Sequence, residues 1–170
     1  MKQVAILLLM VLMLNGCSST RTLQSTTSGN WQAVMFGGTG PASGFSFITE
    51  FTVNGNNSLN ISSFQFLTVN TGGSSSANCF PINGGTVSGS IADYVVNTND
   101  TVTGTLTYTV SSGGNTLTLT GSLTGTATVT GTPPNTSTTL TSATVTGNWS
   151  VTGGTGCNGA GGSFSMTQST

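Results

Sequence analysis

From Thr101 to Val110 the chain reads T-V-T-G-T-L-T-Y-T-V, and from Asn115 to Thr132 it reads N-T-L-T-L-T-G-S-L-T-G-T-A-T-V-T-G-T. Threonine recurs at nearly every second position, and the places between hold Val, Leu, Tyr, Ala or Gly. A period of two sends alternate side chains to opposite faces of a strand. The stretch therefore predicts antiparallel sheet with a hydroxyl-coated outer face and an apolar inner one. A helix built from it would carry threonine on all sides and present no stripe to a core.

The same alternation, broken by Gly, Asn and Pro, continues through most of the chain. It predicts strands at residues 30–36, 44–53, 58–69, 85–92, near 93–96, and at 101–110, 115–123, 124–130, 140–151 and 162–167. Turns are expected at Asn54–Asn57, Asn97–Asp100, Ser112–Asn115 and Thr132–Asn135. The apolar parity of the third strand slips between Ile61 and Phe64, which predicts a β-bulge at Ser62–Ser63. The fold class is all-β, an antiparallel meander barrel or a β-sandwich, in one domain over residues 30–168.

Within these strands Gly89, Gly104, Gly121 and Gly147 fall on the inward parity. Glycine there weakens a strand unless another group packs against the bare backbone. Trp31 and seven of the eight phenylalanines lie between positions 31 and 80, so their rings are expected to fill that space.

The amino terminus reads differently. Lys2 precedes an unbroken apolar run, Val4–Leu14, too short to cross a bilayer as a helix but suited to a signal-peptide core. Leu14-Asn15-Gly16-Cys17 follows and resembles the lipobox of bacterial lipoproteins, with Asn15 standing where that family usually has a small or aliphatic residue. The resemblance implies cleavage of residues 1–16 and diacylglycerol on the Cys17 thiol, commonly with an amino-terminal acyl chain such as palmitate. It implies a membrane-lipid partner and a cell-envelope location. By similarity to enterobacterial sorting, Ser18 rather than Asp after the cysteine points to the outer membrane in a Gram-negative host. Residues 17–29, rich in Ser and Thr, read as a flexible tether.

With Cys17 lipidated, Cys79 and Cys157 remain, both in Gly/Asn-rich stretches of an exported chain, and a disulfide between them is expected. No histidine and no third thiol is left to complete a zinc site, so no metal or cofactor is expected.

Charge limits function further. Lys+Arg is 2, Asp+Glu is 3, and no charged residue follows Asp100. A chain without a basic patch is a poor nucleic-acid partner. There is no His, no Lys after Lys2 and no Arg after Arg21, and no base stands beside the many Ser and Thr hydroxyls, so a nucleophilic triad cannot be assembled. Glu50 and Asp93 are the carboxylates that would have to converge for glycosidase chemistry, and solvated strand-edge positions explain them more simply. Asn97–Asp100 alternates oxygen donors as a weak Ca²⁺ loop does, yet an Asx-type turn accounts for it. No enzyme is expected.

The threonine rows could form a hydroxyl array of the ice-binding or adhesin kind, though solvent-facing strand threonine explains them without a ligand. A transmembrane barrel would need aromatic girdles, and after Tyr108 only Trp149 and Phe164 are aromatic. Gly29-Asn30-Trp31 is similar to the G-x-W that opens lipocalin and avidin barrels, a three-residue likeness that assigns no site residues. The leading expectation is a lipid-anchored, non-catalytic structural or interaction domain, with an envelope protein as its partner. The alternative is a calycin-like barrel binding a small apolar ligand through Phe45, Phe47, Phe64 and Phe66.

Overall fold

The computed structural model describes residues 25–37, 46–68, 79–80, 85–132, 135–154 and 157–169. Eight strands account for nearly all of them: β1 (Ser25–Phe36), β2 (Ser46–Asn54), β3 (Leu59–Thr68), β4 (Thr86–Val96), β5 (Thr101–Ser112), β6 (Asn115–Thr132), β7 (Asn135–Gly153) and β8 (Gly161–Ser169). They form one sheet in the order β3-β2-β1-β8-β7-β6-β5-β4, an up-and-down meander in which β1 pairs with β8 and the curled sheet makes a half-barrel. There is one sheet rather than two packed face to face, so the barrel is the realised member of the expected pair.

Alternation decides which side faces in. On β5, Val102, Leu106, Tyr108 and Val110 are buried while Thr103, Thr105 and Thr107 are exposed. Opposite them on β6, Leu117, Leu119 and Leu123 are buried, and Thr120, Ser122 and Thr124 are exposed. Hydroxyls thus run in register across β5, β6 and β7, as in Thr103–Thr124–Thr144.

Ten predicted strands resolve into eight. Thr86–Val96 is one strand because Asp93, at φ 52°, absorbs a register shift between Ala92 and Val95 without ending it. Residues 115–132 are likewise continuous. The expected bulge is present: Glu50 pairs with Ser63 and Phe51 with Ile61, leaving Ser62 as the extra residue. A second shift, between Ser46/Thr68 and Phe47/Phe66, leaves Leu67 extra. β1 begins at Ser25, inside the stretch expected as tether, where Thr26 and Thr27 pair in parallel with Thr138 and Thr139 of β7.

Two hairpin turns carry the same hydrogen-bond circuit, of the Asx type expected for Asn97–Asp100. In Asn54-Gly55-Asn56-Asn57-Ser58 the Ser58 hydroxyl donates to Asn56 Oδ1 at 2.7 Å, and Asn54 Nδ2 donates to Ser58 Oγ at 3.0 Å. In Asn97-Thr98-Asn99-Asp100-Thr101 the Thr101 hydroxyl donates to Asn99 Oδ1 at 2.7 Å, and Asn97 Nδ2 donates to Thr101 Oγ1 at 2.9 Å. The fourth residue of each, Asn57 or Asp100, takes positive φ, which Asn and Asp tolerate. Its carbonyl then accepts from the next hairpin, Asn57 O from Ile91 N and Asp100 O from Ala127 N, each at 2.9 Å.

The four inward glycines sit where neighbours press on the backbone. A Cβ on Gly121 would lie 2.8 Å from Phe164 Cζ and 2.6 Å from Thr146 O. Gly147, its cross-strand partner, is pressed by the main chain of Thr120 and Gly121. Gly89 is met by Leu59 Cδ1 and Gly104 by Ile91 Cγ2. The expectation that first-half rings fill these spaces is therefore corrected. The ring over Gly121 comes from Phe164 of β8, and aliphatic side chains or bare strands meet the other three. Closure between β1 and β8, with β8 against β7, carries that late phenylalanine to the middle of the sheet.

Candidate functional site

Two features of the half-barrel bear on ligand binding: its interior and the seam where its edges approach. The interior holds an aromatic stack built from both halves of the chain. Phe47 stacks on Tyr108 with centroids 5.5 Å apart, and Phe64 lies 5.1 Å from Phe47 and 4.9 Å from Phe66. Phe66 stacks in turn on Phe80 at 5.2 Å, and Trp31 on Phe51 at 5.3 Å. The fold thus brings together Phe47, Phe64 and Phe66 of the four residues nominated for an apolar ligand, and the rings pack against one another. Phe45 and Cys17 lie outside the described residues.

Sequence reasoning missed the polar link across this core. Thr49 is buried on the inward side of β2 and donates its hydroxyl to Ser63 O at 2.8 Å. A hydroxyl has one proton, so the 2.7 Å contact between Thr49 Oγ1 and Tyr108 Oη requires the phenol to donate. Burial pushes the pKa of Tyr108 well above the ordinary tyrosine range. Thr49 stands on the parity of Phe47, Phe51 and Val53, so alternation alone turns it inward, while only the fold decides that Tyr108 meets it.

The end of the barrel near the β7–β8 connection is tied shut. Cys79 and Cys157 form the expected disulfide, with Cα atoms 5.6 Å apart. Asn115, buried at the start of β6, donates Nδ2 to Cys79 O at 2.7 Å and accepts Gly154 N at 3.1 Å. Phe80, next to the bridge, is thereby seated on Phe66.

The seam lies between β3 and β4. Ser58 and Ser90 form an isolated antiparallel bridge, and beyond it no β3–β4 ladder is made among the described residues. Continuing that register would set Ile61 against Val87, but the bulge at Ser62 turns the β3 edge away. The strands splay there around a cleft of about 320 Å³ lined by Ile61, Ser62, Ser63, Phe64, Gly85 and Val87. Ile61, Phe64 and Val87 line it together with the hydroxyls of Ser62 and Ser63.

The carboxylates stand elsewhere. Glu50 is exposed on β2, Asp93 at the β4 bulge and Asp100 in the β4–β5 turn, and none lines the cleft. No group of three or more His, Cys, Asp or Glu that could hold a metal occurs among the described residues. In the Asn97–Thr101 turn Asn99 Oδ1 accepts from Thr101, the Asx-type arrangement. No helix among the described residues is long and apolar enough to cross a membrane. Comparison with protein-family models, curated proteins and solved structures finds no match to this chain.

Proposed function

We propose that the protein is a lipid-anchored component of the cell envelope, held by acylated Cys17, whose β-domain is a non-catalytic structural or interaction module. The observation that supports the module is the packing of Phe47, Phe64, Phe66, Phe80 and Tyr108 against one another. A barrel that carries an apolar ligand keeps its interior hollow, whereas these rings occupy one another's contact surfaces. The nearly uncharged surface suits this role, because hydroxyls and amides keep it wet without recruiting charged partners.

A second reading is favoured by one feature, the half-buried Phe64 that lines the seam cleft beside Ile61 and Val87. There the calycin-like ligand would sit between the strand edges rather than inside the barrel. Two measurements test these readings. Labelling with an alkyne-bearing fatty acid should mark the wild-type chain in the membrane fraction and leave Cys17→Ala unlabelled, and label on Cys17→Ala would overturn the anchor. Titration of the purified protein with an environment-sensitive apolar dye should show no saturable binding at micromolar dye. Saturable binding abolished by Phe64→Ser would favour the second reading over the first.

A further inference from the structure

Most of the outer surface is hydroxyl, yet its few large apolar side chains are not scattered. Among the described residues those well exposed are Phe36 (51%), Ile48 (39%), Leu67 (47%) and Val95 (40%). Three of the four lie on the outer face of β1–β2–β3, while the outer faces of β5 to β8 carry none. Register sets Leu67 diagonally from Ile48, while Phe36 lies further along β1 and is linked to them through Val34. Ile48 pairs with Gln32 on β1 and Gln65 on β3, and half-exposed Val34 pairs with Ser46 one row on. Phe36 follows Val34 on the same side of β1, and the bulged Leu67 stands diagonally across from Ile48, within reach of it. Large apolar side chains exposed together on one face of a sheet mark a contact surface.

Resting on the lipid-anchored reading above, we propose that this face lies against the bilayer that holds the anchor, so that the barrel reclines on the membrane. The leash argues for it. Cys17 precedes Ser25 by 8 residues, which span at most about 28 Å when extended. The strand they lead into is β1, itself about 40 Å long at the usual rise per residue, whose outer face carries Val34 and Phe36. A domain leashed so closely meets the surface at high effective concentration, so a small patch suffices to orient it. Electrostatics cannot do this work: no Lys or Arg follows residue 24. Association with a lipid surface must then come from apolar contact, to which an aromatic such as Phe36 is suited. Asp93 and Asp100 lie on β4 and its following turn, across the seam, and exposed Glu50 sits beyond Ile48 at the rim of the patch.

The test uses the full-length lipidated protein in phosphatidylcholine vesicles. A photoreactive residue is placed by Ile48→benzoylphenylalanine or Leu67→benzoylphenylalanine, with Thr120→benzoylphenylalanine on the opposite hydroxyl face as control. Irradiation should yield lipid adducts several-fold more abundant at positions 48 and 67 than at 120, and Phe36→Ser with Val34→Ser should reduce them while the protein stays on the vesicles. Equal yields at all three positions, or no lipid adduct at 48 and 67, would overturn the orientation. Adducts from 48 and 67 to a second copy of the chain would overturn it in favour of self-association. Failure of the anchor itself looks different, because wild-type protein would then float free of the vesicles as Cys17→Ala should.

Discussion

Removing the disulfide by Cys79→Ala with Cys157→Ala tests how the barrel is held closed. The bridged residues are 78 apart in sequence. On the chain-entropy account, closing a loop of that length costs the unfolded chain about 15 cal/mol/K, which is about 4.5 kcal/mol at 25 °C. For a domain of this size that corresponds to a fall in Tm on the order of 10–15 °C. Urea unfolding should show the loss with a modestly increased m, since the uncrosslinked unfolded chain is more expanded. A second contribution must be separated, because the bridge also adjoins Phe80. Phe80→Ala with the disulfide intact should cost about 3–5 kcal/mol, the usual range for deleting a buried ring. Asn115 holds Cys79 O independently of the bridge, so the ring should stay docked without the disulfide and the two losses should add. A loss below about 1 kcal/mol for the double alanine variant would refute the loop-entropy reasoning. Equal, non-additive losses would show instead that the bridge serves only to seat the ring.

Three further measurements probe the interior. Tyr108 stays protonated in the folded barrel, while the unfolded chain ionises above the ordinary tyrosine value of about 10, so stability should fall by about 1.4 kcal/mol per pH unit as pH rises past it. Tyr108→Phe should cost about 1 kcal/mol at neutral pH and lose this contribution to the alkaline slope, and parallel slopes in the two proteins would count against the assignment. Gly147→Ala should cost about 3 kcal/mol or more, because a methyl there meets the main chain of Thr120, whereas exposed Thr146→Ala should stay within about 0.5 kcal/mol. Equal melting temperatures for those two variants would contradict the packing. Asn115→Ala removes the bonds to Cys79 O and Gly154 N and should cost about 2 kcal/mol in urea unfolding, with a loss under about 0.5 kcal/mol speaking against its role as a tie.

The chain alone determined its local character, because strand alternation is a covalent matter. Leu106 and Tyr108 had to face opposite to Thr105 and Thr107 once the segment was extended, whatever lay across from it. The slip at Ser62 was legible for the same reason, since an inserted residue shifts parity before any partner is known. The cysteine pair was legible because Cys79 and Cys157 are the two thiols that follow the amino-terminal segment. Partner choice was not legible, because near-identical threonine rows carry no label for their neighbours. Only the tertiary structure set β1 beside β8, brought Phe164 onto Gly121, placed Tyr108 against Thr49 and left β3 and β4 apart at the seam. Those outcomes depend on contacts between residues tens of positions apart, and a period of two holds no information about them.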